Sequence, residues 1–151
     1  MKNKKTKNKY LLIRIKIALS IIMKGKVSLK KIFNAAHCWI AQKFRFVKSS
    51  KFPFLINFEL WNECNAQCTF CRSEDGGIYD LNPDNLGKVS IEKGRMPIKM
   101  FNEIIEQSKD HILLAVPYVN GEPLMYPDLY KALKFASDRK VATLISTNGE
   151  L

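Results

Sequence analysis

Between Pro53 and Ser146 the apolar residues switch repeatedly between a two-residue and a three-to-four-residue period, and this restricts the architecture more than any other feature. Phe54, Ile56, Phe58 and Leu60 fall on every second position opposite Asn57, Glu59 and Trp61, which predicts a strand with one apolar and one polar face. A Gly- and Asp-rich stretch, 75–94, reads as a loop. Ile98, Phe101, Ile104 and Ile105 then form one stripe of a helix over 97–108, with Pro97 suited to its first turn. Residues 112–119 are almost continuously apolar, as a strand covered on both faces requires. Leu129, Ala132, Leu133 and Ala136 mark a second helix over 127–137, and 141–146 a third strand. The order β, α, β, α, β predicts an α/β fold with parallel strands and helical crossovers. Ligands of such sheets lie at the carboxyl ends of the strands. Those ends lead into Cys64, into Asn120-Gly121-Glu122-Pro123 and into Ser146-Thr147-Asn148-Gly149, so three polar clusters are expected on one rim.

Charge divides the chain differently. Residues 1–58 hold 15 Lys plus Arg and no acid, whereas 59–151 hold 10 basic and 14 acidic residues, so +15 and −4 give the net +11. The expected division is a basic amino-terminal arm with helices, 1–51, followed by a second domain, 52–151. Residues 1–9, with five lysines, are expected to be disordered. The apolar run after Tyr10 is too short for a bilayer span, which needs ~20 residues, and Arg14 and Lys16 interrupt it. The same two charges disfavour a cleaved signal peptide. Attachment of residues 1–31 to an anionic membrane surface is the secondary expectation here, behind packing against the rest of the protein. Ser28 is placed to cap a helix on which Leu29, Ile32, Phe33, Ala36, Ile40 and Phe44 make an apolar stripe expected to face the core. His37 and Cys38 on that helix read as structural residues, since neither has a ligand partner at helical spacing.

The chemistry is concentrated in Cys64, Cys68 and Cys71, three thiols within eight residues of a loop after a strand. A structural zinc takes four protein ligands and an ordinary iron–sulfur cluster four cysteines. Three ligands leave one corner open, as a catalytic centre requires. A zinc-stabilised module that binds nucleic acid or a membrane surface through its basic half, without catalysis, is the competing reading; the chain contains no specific nucleic-acid motif. A ferredoxin-like electron carrier would need a fourth cysteine.

The segment Cys64-Asn-Ala-Gln-Cys68-Thr-Phe70-Cys71 resembles the signature of the radical S-adenosylmethionine enzymes. Two other elements are similar to that family's pattern. Asn120-Gly121-Glu122-Pro123 resembles its Gly-Gly-Glu-Pro element, departing at Asn120, and Ser146-Thr147-Asn148-Gly149 resembles the polar end of its third strand. The resemblance covers 54–151 and implies the first part of a partial (β/α)6 TIM-like barrel. It implies a 4Fe-4S cluster on Cys64, Cys68 and Cys71, with S-adenosylmethionine on the fourth iron. Reductive cleavage would then give a 5′-deoxyadenosyl radical that abstracts hydrogen from a substrate. By the same resemblance Phe70 packs over the cofactor, Gly121, Glu122 and Pro123 position its methionine part, and Ser146 and Asn148 meet its polar groups. Asn57 and Glu59 are expected to face the lumen, with a salt-bridged structural role the alternative for Glu59. A flavodoxin or ferredoxin is the expected electron donor. Thiolate ligands of such a cluster suit a reducing compartment, so the expected location is cytoplasmic, with peripheral attachment to the inner membrane surface as a variant. Because only three of six strand units are present, the chain is expected to be a fragment that does not fold stably alone.

Overall fold

The structure is a computed structural model that describes residues 4–46, 52–66, 78–79, 88–89 and 94–150. Its elements in chain order are α1 (Lys4–Met23), α2 (Leu29–Phe44), β1 (Leu55–Asn57), β2 (Ile78–Tyr79), β3 (Lys88–Val89), α3 (Ile98–Ser108), β4 (Leu114–Val116), α4 (Leu129–Asp138) and β5 (Ala142–Thr143). A single 3-10 turn, Pro123–Met125, lies between β4 and α4. Strands β1, β4 and β5 form a parallel sheet in the order β1-β4-β5, with Ile56 opposite Ala115 and Ala115 opposite Thr143. This is the expected βαβαβ arrangement, the opening part of a TIM-like barrel. Within the stretch expected to be a loop, β2 and β3 pair antiparallel, Ile78 opposite Val89.

One face of the sheet packs on α3 and α4. Phe58, Leu60, Phe101, Ile105, Ala115 and Ala132 are all buried there, and the Phe58 and Phe101 rings meet edge to face at 4.7 Å. The stripes predicted on both helices are the buried ones: Phe101 and Ile105 on α3, and Leu129, Ala132 and Ala136 on α4. The strands are shorter than the apolar runs suggest. Pro117 follows β4 directly and has no N–H to extend the ladder toward β5, so that pairing stops after Leu144 N–H donates to Ala115 O at 3.1 Å. Residues beyond that point turn into the rim loops.

The amino-terminal segment departs from expectation twice. Helix α1 begins at Lys4, inside the stretch expected to be disordered, because lysine is a good helix former once the apolar residues after Tyr10 anchor the helix. The second departure is the orientation of α2. Ser28 caps it as predicted, its Oγ accepting from Lys31 N–H at 3.4 Å. Its buried residues, however, are Lys31, Asn34 and Ala41, whereas Leu29, Ile32, Phe33, Trp39, Ile40 and Phe44 are exposed. The polar face is inside because it meets the amino-terminal ends of all three strands, where carbonyls precede the ladder and need donors. Asn34 Nδ2 donates to Pro53 O (3.3 Å) ahead of β1 and to His111 O (3.1 Å) ahead of β4. Lys31 Nζ donates to Lys140 O (2.5 Å) and Lys26 Nζ to Val141 O (3.1 Å) ahead of β5. The Cys38 thiol donates to Phe52 O at 3.5 Å, consistent with its structural reading. Burial lowers the pKa of Lys31, with nearby Lys26 and Lys140 acting in the same direction against Asp110. Across β4 and β5 lies α1, whose Lys16, Ile17, Ser20 and Ile21 face Leu114 and Leu144 over a cleft of about 280 Å³.

Replacing Asn34 by Ala strips donors from two strand-leading carbonyls. We expect Asn34→Ala to destabilise the intact protein by about 2 kcal/mol, read from the urea midpoint, with helix content unchanged.

Candidate functional site

The opposite rim, at the carboxyl ends of the strands, gathers the three polar clusters. After β1 the chain runs through Glu59 and Trp61 to Cys64; after β4 it reaches Asn120 to Pro123; after β5 it reaches Ser146 to Gly149. The first and second clusters are fixed by a main-chain approach that only glycine permits. A Cβ on Gly121 would lie 1.6 Å from the Trp61 carbonyl oxygen. At that separation Glu122 N–H donates to Glu63 O at 2.8 Å.

Two carboxylates complete the assembly. Glu59 turns to the β4 end, where its Oε2 accepts Asn120 N–H at 2.9 Å and its Oε1 accepts Gly121 N–H at 3.1 Å. Its role is therefore a clamp on the Asn-Gly turn, a third option beside the lumen-facing and salt-bridged readings. Glu122 is 3 % exposed, and its two oxygens accept Leu124 N–H (3.0 Å) and Asn148 N–H (2.9 Å). It thus caps the 3-10 turn and ties the second cluster to the third. Burial opposes its ionisation, but the amides of Asn148 and Leu124 and the Thr147 side chain outweigh that and hold its pKa below the usual carboxylate value. Pro123, fully buried, starts the 3-10 turn, where its missing N–H costs nothing.

Cys64 is the described member of the cysteine trio; Cys68, Phe70 and Cys71 lie outside the described residues. Its half-buried sulfur sits among donors: Ala66 N–H at 3.5 Å and Asn148 Nδ2 at 3.7 Å. A half-buried sulfur in a loop at the strand ends, reached by N–H groups from two segments, fits a metal-ligating cysteine. Asn148 Nδ2 also donates to Asn65 Oδ1 at 2.9 Å, linking the third cluster to the cysteine loop. Ser146 is exposed on the same loop, and Asn57 is exposed at the end of β1. Composition and period did not single out Asn65, nor the carbonyls of Trp61 and Glu63, because a main-chain acceptor leaves no trace in residue type. The carboxylate at Glu59, one residue past an otherwise apolar run, was the available signal for the clamp.

Two outcomes test this geometry. Gly121→Ala has no room for its methyl beside the Trp61 carbonyl and is expected to cost at least about 3 kcal/mol of stability in chemical denaturation. Glu122, whose pKa is lowered in the folded state, contributes stability that is present above pH 4.5 and lost as pH falls through its folded value. The difference in unfolding free energy between the native protein and Glu122→Gln should therefore shrink on acidification below pH 4.5, and a pH-independent difference would contradict the arrangement.

No protein-family model matches the chain. Over 94 residues it is 29% identical to an S-adenosylmethionine-dependent nucleotide dehydratase of Flammeovirga pacifica, covering 62% of this chain and 30% of that protein. A protein of the same description from Lacinutrix mariniflava is 30% identical over 100 residues, covering 66% of this chain and 19% of its own length. The chain thus spans less than a third of these curated relatives. Among solved structures, SuiB of Streptococcus suis bound to precursor peptide SuiA superposes with a TM-score of 0.51 at 23% identity, covering 77% of this chain and 23% of that one, a likeness of fold. Over about two thirds of its length this chain is therefore similar to enzymes named for their dependence on S-adenosylmethionine, of which it spans a part.

Proposed function

We propose that the rim at the carboxyl ends of β1, β4 and β5 is the cluster- and S-adenosylmethionine-binding half of a radical enzyme's site. Cys64, Cys68 and Cys71 would hold a 4Fe-4S cluster and leave one coordination position for S-adenosylmethionine. The observation that carries this reading is the meeting of three separate loops at Cys64, Glu122 and Asn148, with amide donors aimed at the cysteine sulfur. Bound there, such a cluster would supply the electron for reductive cleavage of S-adenosylmethionine, the source of a hydrogen-abstracting 5′-deoxyadenosyl radical.

The chain's own residues prepare that chemistry. Ala66 N–H and Asn148 Nδ2 orient the Cys64 sulfur on the rim. Gly121 brings main chain to the rim, Glu59 holds it by accepting the Asn120 and Gly121 amides, and Glu122 ties the turn to the third loop by accepting Asn148 N–H. Pro123 and Glu122 thereby act on the methionine part through the shape of the turn, Ser146 and Asn148 present polar groups, and Phe70 packs over the cofactor. Residues 52–151 form this core, and residues 1–51 are a basic accessory segment on its far side. A flavodoxin or ferredoxin supplies electrons, and a reducing, cytoplasmic compartment suits the thiolates. The relatives' descriptions run from nucleotide dehydratase to a protein bound to a precursor peptide. That breadth supports assigning cofactor handling, rather than substrate choice, to the part of the core present here.

Anaerobic reconstitution of the intact protein with iron and sulfide tests the reading. The expected result is a brown chromophore with four irons per chain and release of 5′-deoxyadenosine on reduction with S-adenosylmethionine present, both lost in Cys64→Ala, Cys68→Ala and Cys71→Ala. Tight binding of one zinc with no chromophore would overturn it and favour the stapled binding module.

A further inference from the structure

We propose that the outward face of α2 docks on an anionic lipid bilayer, lying in the plane of the interface with the basic residues around it on the lipid phosphates. The inner face of this helix is committed to strand-leading carbonyls through Lys31 and Asn34, so the helix cannot roll its apolar residues into the core without giving up those bonds. Its outer arc carries Leu29, Ile32, Phe33, Trp39, Ile40 and Phe44, with Leu29 73 % and Phe33 71 % exposed. A continuous apolar stripe turned outward marks an interaction surface.

The occupant follows from charge. Lys30 and Arg45 flank the arc and Lys43 rises within its last turn, its Nζ 4.9 Å from the Trp39 ring, the placement of a long cation reaching past an aromatic toward a polar layer. No acid occurs in residues 1–58 against 15 basic residues. Pairing this face with a second copy of itself would bring two such segments into repulsion, whereas an anionic bilayer takes the apolar arc and the cations together. Aromatics at the border are the residues interfaces favour. Among the described residues no helix is long and apolar enough to cross a membrane. Because α2 caps the amino-terminal ends of the strands, docking this face leaves the Cys64 rim directed away from the bilayer.

Flotation of the intact protein, kept anaerobic, with phosphatidylcholine vesicles lacking or containing about one-third phosphatidylglycerol tests the proposal. Binding is expected only to the anionic vesicles and should weaken at high salt. Lys30→Gln and Lys43→Gln should each weaken it about fivefold. Phe33→Gln combined with Phe44→Gln should weaken it at least about tenfold at an unchanged thermal midpoint, since both side chains are exposed. Absent or charge-independent vesicle binding would overturn the proposal. So would a lowered midpoint in the double variant, which would show the face covered by the protein itself, or a concentration-dependent dimer that this variant abolishes.

Discussion

The rim of this molecule is organised by one close contact, the main chain of Gly121 against the carbonyl of Trp61, where a Cβ would come within 1.6 Å. That approach puts Glu122 N–H on Glu63 O and leaves the amides of Asn120 and Gly121 for the Glu59 carboxylate. The parallel ladder between β1 and β4 is three residues long and that between β4 and β5 two, so the ladder alone cannot fix the loops beyond it. Charge-assisted bonds from two carboxylates do so instead. Each such bond contributes roughly twice what a neutral one does, and they act on main chain, so they set loop positions rather than side-chain rotamers.

Much of this fold was legible in the pattern of residues because period and burial report the same physics. Phe101 and Ile105, or Ala132 and Ala136, lie at helical spacing and are inside because a helix must bury its apolar stripe on the sheet. The three rim clusters were legible for the same reason: strand ends in parallel sheets share one edge. Strand length was not. It is set by Pro117 and by the turn of Glu59 toward the β4 end, neither of which changes the apolar run that suggests a longer strand. The short β2 and β3 pair sits in sequence with too few apolar residues to show a period.

Helix α2 shows where pattern reading stops. Its 3.6-residue period announced a helix correctly, and Ser28 its start, but period carries no information on which face turns inward. The inner face was decided by demand: the carbonyls of Pro53, His111 and Lys140 stand at the open ends of the strands, and Lys31 and Asn34 are the side chains with N–H donors long enough to reach them. Satisfying polar groups at a sheet end outweighed burying the apolar stripe there.

The two ends of the sheet consequently carry opposite chemistry. At the amino-terminal end, protein donors from α2 and from Lys26 meet strand carbonyls; at the carboxyl-terminal end, carboxylates meet main-chain amides and leave the sulfur of Cys64 facing further donors. Placing α2 at the first end keeps its positive charge away from the cysteine rim while supplying the donors the strands lack. Lysine and asparagine donors of the +15 segment thus meet main-chain carbonyls of the −4 segment at one end of the sheet.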